Sequence, residues 1–242
     1  MNTTNSTTRN WTAALLILQG LLLFVPVFIL GGAINWPASL GEPASVNLPL
    51  ILAEAAAVRN GYFIYMIYSA LILPVAVLTA KLAAGDEPLG TVLQMAIGFG
   101  IASAVLRVLG IIRWLIPMPI LARIYTDPAS SDATREAVVV TYDMLNGYAG
   151  SVGEVLGVGI FAALWIACTS IVMWQRRTVP RWFAAYGFVT AAGLATGLVE
   201  IWGIDLGAFI TVTVSLFQFW MLILGGLLLM RSRAPQRQVA TA

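Results

Sequence analysis

Four ionisable residues stand inside the long apolar stretches of this chain: Arg59, Arg107, Glu154 and Glu200. An ionised side chain in hydrocarbon costs about 2.5–3.5 kcal/mol on insertion scales, so it persists where it faces protein or water. Two guanidinium groups would draw an anionic headgroup or a carboxylate. A half-buried carboxyl would be able to carry a proton. Arg113, Asn146 and Tyr62 border the same stretches and complete a candidate polar, ligand-binding layer. Other chemistry is excluded by what is missing. The chain has no His, which removes His-ligated haem, His-bound zinc and any triad needing imidazole. Cys168 is the sole cysteine, so no intrachain disulfide and no Cys-clustered metal site can form. No G-x-S-x-G nucleophile motif occurs. No cofactor and no metal are expected, and no residue can be assigned a catalytic role.

The elements that hold this layer follow from composition. Of 242 residues, 60% are hydrophobic and 10% charged, and the mean hydropathy is +0.88. An average soluble domain is about 25% charged. Several apolar runs exceed the roughly 20 residues that span a bilayer. The chain therefore reads as an all-α integral membrane bundle of six transmembrane helices. The spans fall at about 11–34, 59–82, 89–115, 147–175, 182–202 and 206–230, with an extra apolar turn at 51–58. Residues 1–10 form a polar tail, 11–231 one six-helix domain, and 232–242 a flexible tail. With net charge +2 and no basic cluster, nucleic acid is not an expected partner.

Lys and Arg flanking the spans set the orientation. Arg9, Lys81, Arg176, Arg177, Arg181, Arg231, Arg233 and Arg237 all fall on one side of a six-span chain. That side should be cytoplasmic in a bacterial plasma membrane, with both termini inside. Asn2, Asn5 and Asn10 head formal glycosylation sequons, but the Arg bias opposes an outward N-terminus. The other side carries the 35–50 loop and the long 116–146 connection.

At 1.5 Å rise per residue, Arg59 lies roughly 34 Å from Leu82 and Arg107 roughly 27 Å from Leu89. Glu154 lies roughly 31 Å from Gln175 and Glu200 roughly 28 Å from Arg181. All four thus sit near one level, at the outer edge of a core about 30 Å thick. Arg113 and Asp205 lie slightly further out. Neighbours three and four residues away share a helix face. Arg107 shares its face with Gly100, Ser103, Ala104 and Gly110, Glu154 with Gly150, Ser151, Gly157 and Val158, and Glu200 with Thr196 and Gly197. Small residues line helix contacts in membranes, so these three should point into the bundle. Gly153-xxx-Gly157 and Gly193-xxx-Gly197 also offer faces for an oligomer.

Within the 116–146 connection, Pro117 and Pro119 end span three. Ser131 or Asp132 is placed to cap a new helix. An apolar stripe of Ala137, Val138, Thr141, Met144 and Leu145 marks an amphipathic surface helix over about 132–146. Such a helix either caps the bundle or closes as a lid over an outward cavity. Trp36, Trp114, Trp182, Trp202 and Tyr148 sit at span ends, where interfacial anchors are expected. Tyr62, Tyr65 and Tyr68 lie deeper and either pack or line a cavity.

Two stretches carry a resemblance. One comprises Arg113-Trp-Leu, Leu121-Ala-Arg-Ile-Tyr-Thr-Asp-Pro, Ala133-Thr-Arg-Glu-Ala-Val, Leu145-Asn-Gly-Tyr-Ala-Gly and Gly153-Glu-Val-Leu-Gly. The other is Val179-Pro-Arg-Trp-Phe-Ala-Ala-Tyr-Gly with Glu200 closing the same span. Over roughly residues 105–230 the chain resembles the DUF4386 family of small bacterial multi-pass membrane proteins. The resemblance implies the helical fold and a motif glutamate, Glu154, and no activity. Where some relatives carry Gly-Glu-His-Leu-Gly, Val155 takes the His position, which removes imidazole or metal chemistry here.

Three functions are compatible with these residues. The first is binding or transport of a small anionic or lipidic ligand at an outward-facing polar site. The second is a membrane scaffold or signalling partner whose charges only lock or solvate the helices. The third is a metal-free intramembrane acid/base enzyme using Glu154 or Glu200.

Overall fold

The computed structural model describes residues 3–204 and 206–233. Asp205, Arg237 and most of the expected C-terminal tail lie outside the described residues. The structure is 88% helical, with no strand among the described residues. Six helical stretches are long and apolar enough to cross a membrane: Thr8–Ile34, Ala55–Ala84, Thr91–Thr126, Asp132–Arg176, Arg181–Trp202 and Phe209–Met230.

The first crossing is two helices, α1 (Thr3–Leu22) and α2 (Phe24–Ile34), so helix begins within the polar N-terminal tail. Pro26 explains the break at Leu23, because it has no N–H to offer the preceding turn. The partner changes at the break: α1 packs on the last helix of the chain, and α2 on the second crossing. After Asn35, in the left-handed conformation, a single 3₁₀ turn at Ala38–Gly41 leads to α3 (Ala44–Ala53). The 35–50 segment is therefore not a plain loop. Pro43 precedes this helix and Pro49 lies within it, yet it forms because Leu48 and Ile51 bury completely against its neighbours.

The second crossing, α4 (Ala55–Ala84), runs as one helix through Pro74. The third, α5 (Thr91–Leu115), ends where Pro117 opens α6 (Pro117–Thr126). Ser131 caps α7 (Asp132–Gly150), its Oγ accepting from the Thr134 N–H at 3.2 Å. α7 runs on through a π-helical stretch, Ser151–Phe161, into α8 (Ala162–Arg176). α9 (Arg181–Ala195) tightens into a 3₁₀ segment, Thr196–Trp202, and α10 (Ala208–Arg233) is the sixth crossing.

Two packed regions result. Towards the face that carries the termini, Trp165 meets Phe217 and Trp220 edge-on at 5.9 and 6.0 Å, and Phe183 stacks on Trp220 at 5.8 Å. Trp165, Phe183, Phe217 and Trp220 are all fully buried. Arg176 Nη1 donates to the Ala84 carbonyl at 2.8 Å, tying the ends of α8 and α4 together on that face. On the opposite, connection face, α3, α6 and α7 build a second core over the ends of α4 and α5.

The buried stripe of α7 differs from the expected one. Ala137, Thr141 and Met144 are exposed, while Val138 and Tyr142 are buried. Tyr142 carries the shift: its hydroxyl accepts from Asn47 Nδ2 at 2.6 Å and donates to the Glu42 carbonyl at 3.1 Å. A tyrosine tethered this way takes an interior position that a purely apolar count gives to its neighbours. Tyr142→Phe should cost about 1 kcal/mol, read as a lower melting temperature in lipid, whereas the exposed Tyr148→Phe should leave it unchanged.

The aromatic anchors also divide. Trp182, Trp202 and Tyr148 are 56, 73 and 75% exposed, as interfacial rings should be. Trp114 is buried and stacks face to face on Tyr62 at 5.1 Å. It is a core ring rather than an anchor.

Candidate functional site

Between α2, α5, α10 and the two irregular segments lies a cavity of about 400 Å³, within the 300–1,000 Å³ typical of ligand sites. Arg107, Arg113, Glu154, Glu200 and Tyr62 all line it. Tyr65 joins them, and Trp36, Pro37 and Leu40 form its roof. No residue of α7 borders it. The amphipathic helix is therefore not its lid, because the 36–40 segment already occupies that position.

Two of the seven candidates stand elsewhere. Arg59 lies on an exposed face near the start of α4, away from the cavity. Asn146 sits outside it and donates from Nδ2 to the Leu40 carbonyl at 2.9 Å, which anchors the roof segment to α7. Of the charged candidates, Arg107, Arg113, Glu154 and Glu200 line one cavity and Arg59 does not.

The irregular helices decide which side chains reach the cavity. α-Helical spacing puts Gly157 and Val158 on the Glu154 face. In the π-helical stretch the i→i+5 pairing widens the turn and moves the neighbours to i+4 and i+5. Glu154, Val158 and Gly159 accordingly line the cavity. Gly157 turns to α5, where a Cβ would stand 3.1 Å from Arg107 Cγ. In the fifth crossing the opposite distortion acts. Leu194, Gly197 and Glu200 line the cavity at a spacing of three, the 3₁₀ period. Neither distortion has a sequence signal in the 3.6-residue pattern.

The two arginines are held differently. Arg113 is buried. Its Nη2 meets Glu154 Oε1 at 3.3 Å, its Nη1 donates to the Gly110 carbonyl at 2.9 Å, and its guanidinium stacks over Trp114 at 5.2 Å. Glu154 is the wet partner, with its side chain 50% exposed against 5% for Arg113. Arg107 is 4% exposed and its guanidinium carbon lies 5.3 Å from the centre of the Phe217 ring. Its Nε and Nη2 are buried with no hydrogen-bond partner. Leaving such donors unmet costs roughly 1–3 kcal/mol or more when they carry charge.

Helix α10 supplies a wall that sequence reasoning passed over: Thr211, Thr213, Ser215 and Gln218. Polar residues recurring in an apolar span were the available signal. Thr213 and Ser215 satisfy their own hydroxyls on carbonyls of the preceding turn. Gln218 donates to the Tyr68 hydroxyl and closes the floor with it.

The fold and this cavity define a multi-pass helical membrane protein with a largely apolar chamber that carries four charged side chains. A sequence model of the family described as "Domain of unknown function (DUF4386)" matches residues 12–232. The chain belongs to that family. None of the curated proteins and none of the solved structures matches it.

Proposed function

We propose that this protein binds a small or lipidic ligand in the cavity, in a bacterial plasma membrane, with the connection face outward and both termini cytoplasmic. The observation that carries the reading is Arg107: a buried guanidinium at the cavity wall with two unmet donors. A structural ion pair needs no unmet donors, and Arg113 and Glu154, which line the same cavity, already meet each other at 3.3 Å. The basic residues on the terminal face support the orientation.

The deciding measurement is a high-resolution structure of protein purified in lipid nanodiscs. Non-protein density within hydrogen-bonding distance of Arg107 is expected, about 3 Å, and mass spectrometry of the same sample should find a co-purifying molecule. A collapsed cavity, with Arg107 satisfied by protein side chains, would return the charges to a purely structural role. Orientation is checked separately on intact cells. In a Cys168→Ala background, Ser130→Cys should react with a membrane-impermeant maleimide, and a protected Ser130→Cys would reverse the topology.

A further inference from the structure

The chemistry of the ligand can be taken further, on the reading of the cavity as a binding site. We infer that the occupant is an acyl-chain amphiphile with an anionic head, carboxylate or phosphate, which enters sideways from the bilayer. Two independent features point to it.

The first is which nitrogens of Arg107 are unmet. Nε–H and one Nη2–H lie parallel on one edge of the guanidinium plane. That edge is the fork that takes two oxygens of a carboxylate or phosphate together. Both atoms are buried and without a hydrogen-bond partner, and the residue is 96% buried at the cavity wall, with the Tyr68 hydroxyl as a hydrogen-bonding neighbour of the guanidinium; an anion reaches this edge by displacing the packing over it. The neighbouring arginine offers no such fork: Arg113 Nε is also unmet, but its Nη2 is taken by Glu154 and its Nη1 by the Gly110 carbonyl. The anion is therefore received at Arg107, with the Tyr65 ring close by.

The second is the apolar side of the cavity. Leu23, Phe24 and Val27 line it from the kinked start of α2, and Val214, Phe219 and Leu222 from α10. Phe24 and Phe219 are 43% and 52% exposed while lining the cavity. They are apolar rings on two membrane-crossing helices, exposed at the cavity's edge, and the lateral opening we infer lies between them. The cause is local. Below the kink α1 is held tightly to α10, where a Cβ on Gly20 would meet Leu222 at 2.5 Å. Beyond it α2 turns to α4, and the seam with α10 opens. A water-soluble anion has no use for such a strip. A hydrocarbon chain does, and about 400 Å³ suits a head and part of one chain, the remainder lying in the bilayer.

The test uses the full chain in phosphatidylcholine nanodiscs, with native mass spectrometry as readout and palmitate, a lysophosphatidate and butyrate as probes. One or both long-chain probes should bind, and butyrate should not. Palmitate alone would assign a free fatty acid, and lysophosphatidate a phospholipid-derived head. Arg107→Gln should weaken the bound probe about tenfold or more, and Val27→Trp, which fills the strip, should do the same while Arg107 is intact. The Val27 variant guards against misfolding of the Arg107 one. If butyrate bound as well as palmitate and Val27→Trp changed nothing, lateral entry and the acyl chain would be refuted while the binding site survived. If no probe bound and the nanodisc structure showed a collapsed cavity, both readings would fall together.

Discussion

Gly110→Ala should lower the melting temperature sharply, by the equivalent of about 3 kcal/mol. A Cβ at Gly110 would lie 2.6 Å from Gly153 Cα and 2.9 Å from the Ala149 carbonyl oxygen. Both are backbone atoms, so no flexible side chain can yield. In a membrane the lipid tails are as apolar as the helices, and association rests on close packing. Gly110 against Gly153 is where the backbones of α5 and the π-helical stretch touch. The contact also fixes Arg107 and Arg113 opposite Glu154. Gly32→Ala, with open space around its Cβ, should change stability by less than about 0.5 kcal/mol. Thermal melts of both variants in lipid decide the matter; a Gly110→Ala protein melting with the parent would refute this contact.

The second large effect concerns the Arg113–Glu154 pair, and it is asymmetric. Removing the charge of Glu154 leaves a buried guanidinium without its counter-ion. Removing Arg113 leaves a carboxylate that is already half exposed. Glu154→Gln should therefore cost about 2 kcal/mol, discounted from the 3–5 kcal/mol of a fully buried pair. Arg113→Met, similar in volume, should cost less despite losing its stacking on Trp114. In the double variant the losses should fall short of their sum by about 1 kcal/mol or more. Strict additivity of the three melts would mean that the two side chains do not interact.

The fold was legible because the bilayer imposes it. Long apolar runs must be helices, since hydrocarbon offers the backbone no other partner. Arg107, Glu154 and Glu200 were legible for a related reason, as charge is tolerated there only where it faces protein or water. What escaped was set by local departures from the regular helix. The π turns bring Gly159 beside Glu154 and Val158, and turn Gly157 to α5. α3 forms despite Pro49 because tertiary burial outweighs local preference. Arg59 is exposed and away from the cavity, and rise along a helix fixes only an expected level, not a direction. The roof at Trp36–Leu40 depends on contacts such as Asn146 to Leu40, 106 residues apart, that no local pattern encodes.

The floor of the cavity has a thermodynamic consequence. Tyr68, Gln218 and the interlocked rings of Trp165, Phe183, Phe217 and Trp220 are buried beneath it. For the ligand we propose, this floor is a barrier, and in this conformation the ligand leaves by the route it entered. Its occupancy is then in equilibrium with one reservoir alone, and follows the ligand's chemical potential there. No concentration gradient or voltage between the two sides can do work on it or be dissipated through it. On the proposed reading such a chamber is a gauge of one compartment, and becomes a pump or a leak only in a conformation that parts those rings.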